Sequence, residues 1–176
     1  PHDRDSQLIQ LTVGALAEKI GLDDSRIEAV KIAGLLHDIG KIAIPAEILS
    51  KPGSLNEEEY SLIQEHSIVG YNILKNARLP WPVAEIVRQH HERLDGSGYP
   101  GKLKGSEICV EARIIAVVDV VDAMTSHRPY RPAHKVEAAL EEIHSKSGTC
   151  FDSSIVNACT ELIEEGFDFR EEPLEK

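Results

Sequence analysis

The stretch IIAVVDVVDAM, residues 114–124, decides between an all-helical fold and a mixed one. Its many β-branched residues favour a buried strand when local propensity alone is considered. However, the run is long, contains alanines and a methionine, and shows no alternation of apolar and polar positions. No hairpin signal flanks it, so a strand here would lack a partner. We therefore predict a helix at this position.

Glycine, proline and capping residues divide the rest of the chain into helix-length segments. Apolar residues between positions 8 and 20 recur at helical spacing, and Gly21 follows where a C-terminal glycine belongs. Asp23 or Asp24 can cap a second helix. Further helices are predicted to start at a capping box formed by Asn56 and Glu59, and after Pro82, Pro132 and Asp152. The pattern predicts an all-α bundle of about seven to eight helices.

The length and composition are typical of one globular domain. The chain has 176 residues, of which 41% are hydrophobic and 28% are charged, so we expect a single domain over residues 1–176 with a frayed tail at 168–176. It starts at Pro1 without a methionine, which suggests a piece of a longer protein. No apolar run is long enough to cross a bilayer, and we expect no membrane contact. Three cysteines without a CxxC pair favour reduced thiols in the cytoplasm.

The net charge restricts the class of ligand. At −11, the chain should repel long nucleic acids, because binding of a phosphate backbone needs many Lys and Arg contacts. A small phosphate ligand can still bind if local cations outweigh the overall field. This makes bound metal ions a natural expectation.

A His-Asp pair closes an apolar helical segment. His37 and Asp38 follow residues 33–36, and a buried carboxylate is costly unless a charged group pairs with it. Lys41 would lie on the same helical side as His37 if the helix or its last turn continues. The alternative is a histidine that hydrogen-bonds a neighbour and an aspartate that caps the next turn. For an isolated His-Asp dipeptide, that alternative is the more common one.

Other acids and imidazoles strengthen the metal interpretation. Asp119 and Asp122 lie three residues apart in the apolar run and cannot both be buried and ionised without cations, unless one faces solvent or caps a backbone group. His66 and the pair His90-His91, each considered alone, would be only weak evidence for a metal site. Together these side chains supply the nitrogen and oxygen ligands that suit Fe, Mn, Zn or Ni. Two metals about 3.5–4 Å apart would form a clamp for displacement at phosphorus.

These motifs resemble the HD-GYP family, a branch of the HD-superfamily metal-dependent phosphohydrolases. The matching segments, in chain order, are HDIGK at 37–41, Ile44-Pro45, Ile48-Leu49, His66, HHER at 90–93, DGSGYP at 95–100, DVVDAMTS at 119–126 and RPYR at 128–131. The resemblance covers nearly the whole chain.

The resemblance implies an HD-type helical bundle that holds two or three metals, usually iron or manganese. The substrate would be cyclic di-GMP or a related cyclic dinucleotide, opened to linear pGpG and sometimes cut on to GMP. A hydroxide bridging the metals would be the nucleophile, because metals lower the pKa of bound water. By position, the implied metal ligands are His37, Asp38 as the bridge, His66, His90, His91 and Asp119. An upstream sensor or receiver domain, a homodimer or another signalling protein are the implied partners.

The resemblance also implies the substrate contacts. Lys41 would contact the scissile phosphate as a catalytic group together with Asp38, and Arg128 and Arg131 would hold phosphates. The remaining implied contacts are Gly98, Tyr99 and Pro100 in the substrate loop, and Asp122 beside the site. Simple pairing of the two arginines with surface acids, and simple packing of the tyrosine, are the alternatives.

The chain departs from the family at its start. The family has a histidine near position 5 and often a glutamate one turn earlier, whereas this chain has Asp5 and Pro1. Asp5 can ligate as a carboxylate, and His2 can substitute for it. We expect two metals, Fe or Mn foremost, with Ni, Zn or Mg also compatible. The competing hypotheses are a degenerate domain that binds metal or nucleotide and signals without turnover, and a nucleotidase acting on mononucleotides.

Overall fold

The computed structural model describes residues 2–126 and 135–167, with side chains from residue 8 onward. Within these ranges the chain forms helices and contains no strand. The α-helices are α1 (His2–Lys19), α2 (Asp24–Leu36), α3 (Ala46–Leu49), α4 (Glu57–Gln64), α5 (His66–Leu74), α6 (Val83–Gln89), α7 (Val110–Thr125), α8 (Val136–Ser145) and α9 (Ser153–Glu164). Two short 3-10 helices are η1 (Ile39–Ala43) and η2 (Gly105–Glu107). Only Glu65 separates α4 from α5, so counting them as one gives the predicted eight.

Helix α7 contains the ambiguous stretch and lies at the centre of the bundle. It packs against α1, α2, α6, α8 and α9. Ile114, Ile115, Val117 and Val121 are fully buried, so apolar residues on several sides of this helix meet neighbouring helices. Burial on several sides explains why the sequence shows no simple amphipathic stripe here. The helix prediction is confirmed.

The predicted helix boundaries follow their capping residues. Asp23, rather than Asp24, caps α2 by accepting a hydrogen bond from the Arg26 amide at 3.1 Å. Asn56 and Glu59 form the reciprocal capping box at the start of α4. Gly21, with a φ of +80°, ends α1 in the left-handed region that favours glycine.

The chain turns sharply after α2, and this corrects the expected position of Lys41. Helix α2 ends at Leu36, and η1 begins three residues later at Ile39, so the helix does not carry Lys41 over His37. Gly40 makes this turn possible, because a Cβ there would lie 1.9 Å from the carbonyl oxygen of His66. Segment η1 therefore lies directly against α5.

Several sequence predictions fall outside the described part of the chain. They concern Arg128, Arg131, the tail at 168–176 and the side chains of Asp5 and His2, which all stay predictions. Cys109, Cys150 and Cys159 are unpaired in the structure, and their location in the cytoplasm stays a prediction. Among the described helices, none combines the length and hydropathy needed to cross a bilayer.

Candidate metal centre and adjoining groove

Four elements bring six of the predicted ligands to one place. His37 caps the end of α2, and Asp38 follows it directly. His66 begins α5, and the pair His90-His91 follows α6. Asp119 projects from α7, which packs against both α2 and α6. Residues far apart in the sequence thus meet where these helix ends converge on α7.

Each of the two carboxylates lies between two imidazoles. The Asp38 Oδ2 atom is 3.5 Å from His37 Nε2, and its Oδ1 atom is 3.8 Å from His66 Nε2. The Asp119 Oδ1 atom is 3.9 Å from His37 Nε2, and its Oδ2 atom is 3.9 Å from His91 Nδ1. Both acids thus present one oxygen towards each of two neighbouring imidazoles.

His66, His90 and His91 form a compact group of imidazoles. The Nε2 atoms of His66 and His90 are 3.3 Å apart. One ligand atom from each of His66, His90 and His91 lies within 4.8 Å of the others, which suits a shared metal ion. His66 and His90 are almost fully buried, at 1% and 0% exposure, so these rings are held by packing.

Backbone carbonyls fix the tautomer of three imidazoles. The Nδ1 atoms of His37, His66 and His90 lie 2.6–2.7 Å from the carbonyl oxygens of the residues three positions earlier. A carbonyl can only accept a hydrogen bond, so each Nδ1 carries a proton, and in the neutral ring Nε2 then keeps its lone pair. Metal-binding histidines are commonly oriented by such hydrogen bonds. The side chains present therefore fit metal ions in both chemistry and orientation.

Burial keeps the imidazoles of the compact group neutral. It lowers the pKa of His66, and it lowers the pKa of His90 and His91 well below 6.5. For His90 and His91, a neighbouring imidazole lowers the pKa further. Neutral imidazole is the form that binds metal.

Asp38 remains ionised. Removal of this carboxylate from water opposes ionisation, but His37 and Lys41 outweigh that effect and lower its pKa. The Lys41 Nζ atom donates a hydrogen bond to Asp38 Oδ2 at 2.6 Å. The lysine side chain is 38% exposed, so its ammonium group stands at the open side of the cluster.

The Gly-Tyr-Pro loop packs directly on the group formed by His66, His90 and His91. The ring of Tyr99 stacks on that of His91, with centroids 4.7 Å apart and an interplanar angle of 28°. Burial, followed by the influence of Tyr60 and Asp119, raises the pKa of the Tyr99 phenol. A Cβ on Gly98 would lie 2.5 Å from the backbone at His91, so only glycine allows this approach.

Glu92 is a functional candidate that the sequence reasoning missed. Its carboxylate is 3% exposed and accepts hydrogen bonds from the amides of Gly101 at 2.5 Å and Leu103 at 3.0 Å. Because Glu92 directly follows His91, these hydrogen bonds hold the chain after the Gly-Tyr-Pro loop close to His91. A glutamate directly after the two histidines was visible in the sequence, but its burial was not.

Asp122 and Pro100 are the remaining predicted substrate contacts among the described residues. Asp122 is half-buried and accepts a hydrogen bond from the Ser126 hydroxyl at 3.0 Å. Pro100 is half-buried and follows Tyr99 in the loop described above. Both lie on elements that carry the cluster, and a substrate contact for either remains a prediction.

A groove of about 370 Å³ adjoins the cluster at His91 and Tyr99. Side chains from α4, α7, α8 and the loops around the Gly-Tyr-Pro segment form its walls. The lining residues are Tyr60, Gln64, His91, Arg93, Ser97, Gly98, Tyr99, Val120, Glu142, Lys146, Cys150 and Phe151. The groove therefore provides space for a ligand that also reaches the cluster.

The chain matches one protein family and is similar in sequence to two phosphodiesterases. The chain matches the HD domain family over residues 2–155. It is 44% identical over 147 residues to the cyclic di-GMP phosphodiesterase response regulator RpfG of Xanthomonas campestris, which covers 82% of this chain and 39% of that protein. It is 39% identical over 157 residues to the 3'3'-cGAMP-specific phosphodiesterase 2 of Vibrio cholerae, which covers 88% of this chain and 30% of that protein. The chain thus spans less than half the length of these relatives.

A solved structure shows the same fold. Bd1817, an HDG"Y"P protein from Bdellovibrio bacteriovorus, superposes with a TM-score of 0.77 at 18% identity. The match covers 93% of this chain and 53% of that one. At this level of identity the likeness concerns the arrangement of the helices.

Proposed function

Because this chain belongs to the HD domain family, we propose that it is a metal-dependent phosphodiesterase that hydrolyses a cyclic dinucleotide, with cyclic di-GMP as the foremost substrate. The observation that carries the proposal is the set of two carboxylates that each lie between two imidazoles, Asp38 between His37 and His66, and Asp119 between His37 and His91. Relatives named as phosphodiesterases of cyclic di-GMP and of 3'3'-cGAMP support the substrate class. The family recognised from the sequence motifs is confirmed.

The donor set suggests two groups of ligands that share one carboxylate. His37, Asp119 and one oxygen of Asp38 would hold one divalent ion, and the other Asp38 oxygen would join the three-histidine group around the second. Asp5 is the further ligand expected from sequence for the first ion. Fe or Mn is the expected metal, since N and O ligands suit both. When bound, two such ions would polarise a phosphoryl oxygen and lower the pKa of coordinated water.

The chain's own residues would position and stabilise the reacting phosphate. Lys41 lies at the open side of the cluster, where its ammonium group can move from Asp38 to a phosphate oxygen that gains charge during cleavage. Tyr99, stacked on His91, would form the wall against which the substrate rests. Cleavage of one phosphodiester of the ring would give linear pGpG, and cleavage of the second would give GMP.

One observation favours a second candidate function. Asp5 stands where the HD-GYP pattern has a histidine, and the preceding glutamate is missing. A domain with this change could bind metal or nucleotide and act through a protein partner without turnover. An upstream sensor or receiver domain fits either function, because the chain covers only 39% and 30% of the two relatives compared.

Metal content measured together with turnover tests the proposal. Protein purified anaerobically should contain about two Fe or Mn ions per chain and should cleave cyclic di-GMP. Product analysis would show whether cleavage stops at pGpG. One ion or fewer per chain, without turnover after reconstitution with Fe or Mn, would overturn the phosphodiesterase proposal and favour the binding domain.

A further inference from the structure

Helix α8 brings a charged pair to the groove that the proposed mechanism does not use. Glu142 and Lys146 are four residues apart, and the lysine Nζ atom is 2.5 Å from a glutamate Oε1 atom. Both side chains line the groove and are partly exposed, at 38% for Glu142 and 48% for Lys146. An acceptor-only group and a donor-only group therefore stand side by side in the wall of the groove.

This pair matches the hydrogen-bonding edge of guanine. Guanine presents the O6 acceptor beside its N1–H and N2–H donors, so O6 can accept from Lys146 while the two donors bind Glu142. Adenine presents a donating N6 amino group where guanine has O6, and an accepting N1 where guanine has N1–H. Adenine would thus oppose donor to donor and acceptor to acceptor.

The rest of the groove suits a nucleotide. Tyr60 and Tyr99 contribute aromatic rings on which a base can stack. The volume of about 370 Å³ is at the lower end of the range for small-molecule sites, which fits one nucleotide better than a whole dinucleotide. The groove reaches His91, so a base held in it remains connected to a phosphate at the metal centre.

Of the two described cations that line the groove, Lys146 is better placed than Arg93 to read a base. Arg93 also lines the groove, but it donates hydrogen bonds to the carbonyls of His90 and Glu92 at 3.4 and 2.9 Å. Its guanidinium also lies over the ring of Phe151, 5.1 Å from the centroid. Arg93 is therefore part of the wall, whereas the ammonium group of Lys146 pairs with Glu142, and both of these side chains are partly exposed in the groove.

We propose that Glu142 and Lys146 form a guanine-reading pair for one base of the cyclic dinucleotide. The pair would make this chain prefer guanine over adenine at that base. This inference rests on the proposed function, since it names the base specificity of the same substrate.

The test is direct competition between cyclic di-GMP, 3'3'-cGAMP and cyclic di-AMP in one reaction. The ratio of kcat/KM values obtained in this way does not depend on the folded or metal-loaded fraction. The unaltered protein should prefer cyclic di-GMP over cyclic di-AMP by on the order of 10–100-fold. Glu142→Gln, whose amide both donates and accepts, should reduce this preference about 10-fold, and Lys146→Met should also reduce it.

The matched control is Glu141→Gln, which makes the same charge change on the same helix at an exposed position. It should leave the preference unchanged. An unchanged preference in Glu142→Gln, while cyclic di-GMP is still cleaved, would overturn the guanine-reading pair and leave the phosphodiesterase proposal intact.

Equilibrium titration separates the two proposals if no substrate is cleaved. The affinity for cyclic di-GMP should then still exceed that for cyclic di-AMP, and Glu142→Gln should bring the two affinities closer together. Equal affinities in the unaltered protein would overturn the inference independently of turnover.

Discussion

The side chains of the cluster are oriented by contacts that leave their ligand atoms facing one another. Three imidazoles donate Nδ1–H to backbone carbonyls, and Asp38 divides its two oxygens between His37 and His66. These contacts orient the candidate ligand atoms in the protein itself, so a metal ion would not have to reorient the side chains when it binds. At the scale of single residues, the role of each group can be tested by removing its charge or its ligand atom.

Asp38→Ala tests the shared carboxylate. Since one oxygen faces each group of imidazoles, its loss should lower the metal content from about two ions per chain to below one and abolish turnover. Elemental analysis of the purified variant measures this. Asp24→Ala, at an exposed position in the first turn of α2, is the control and should retain its metal. Full metal content in Asp38→Ala would show that this carboxylate is not the bridge.

Lys41→Ala tests the phosphate-contacting cation. The ammonium group stands at the open side of the cluster, so its loss should leave the metal content unchanged and lower kcat about 100-fold. Steady-state kinetics with cyclic di-GMP, normalised to metal content, measure this. Lys75→Ala, which removes an exposed lysine directly after the last residue of α5, should leave kcat unchanged. If Lys41→Ala instead lost its metals, the role of Lys41 would be to support Asp38 and not to contact the phosphate.

At the scale of elements, the close approach of η1 to α5 sets the distance between the two groups of ligands. Gly40 lies against the carbonyl of His66, and a Cβ would come within 1.9 Å of that oxygen. The same contact fixes Asp38, two residues earlier, relative to the His66 imidazole. The glycine thus influences the geometry of the candidate ligands without supplying a ligand atom itself.

Gly40→Ala should separate the two elements. Overpacking of this kind costs about 1–3 kcal/mol of unfolding free energy, and the shift should also weaken metal binding. Urea denaturation and metal titration measure the two effects. Gly14→Ala is the control, because a Cβ there meets the flexible end of Lys31, which can move aside. Full metal affinity in Gly40→Ala would show that this approach does not govern the site.

Glu92→Gln should loosen the chain after the Gly-Tyr-Pro loop. An amide can satisfy one of the two backbone N–H groups but turns a donor towards the other. The loss should be about 1.5–3 kcal/mol, since hydrogen bonds to a charged group are the stronger kind. Faster hydrogen exchange at Gly101 and Leu103 would report it, with Glu47→Gln, an exposed change, as the control. Unchanged exchange at both amides would contradict the clamp.

At the scale of the whole molecule, the buried imidazoles couple stability to pH. Burial lowers the pKa of His66, His90 and His91, so the native protein holds them neutral. The same residues in the unfolded chain take up protons as the pH falls through about 6.5, and this favours unfolding. The lowered pKa of Asp38 acts in the same direction, but only at much lower pH.

The chelator-treated protein should therefore lose stability in mild acid. Its unfolding free energy should fall by about 1 kcal/mol or more between pH 7 and pH 5. Urea denaturation at a series of pH values, with constant ionic strength, measures the effect. Saturating Mn²⁺ should raise stability near pH 7, because the metal binds the folded chain. A flat profile between pH 7 and pH 5 would mean that these imidazoles are not held neutral in the folded protein.

The helical class and most helix boundaries could be predicted from local rules, such as a long apolar run without alternation and the reciprocal caps of Asn56 and Glu59. Each of these rules acts within a few residues of the chain. The six clustered side chains were expected from the resemblance of several short motifs to a known family, because residue type and spacing alone left other roles open for them.

How those side chains combine depends on the packing of the helices against one another. The turn at Gly40 placed Lys41 on Asp38 instead of along α2, the burial of Glu92 made it a loop clamp, and α8 carried Glu142 and Lys146 to the groove beside His91. Each of these contacts depends on the packing of elements against one another. Local sequence patterns could not reveal them, because the distances between ligands are set by helix packing around α7 and not by spacing along the chain.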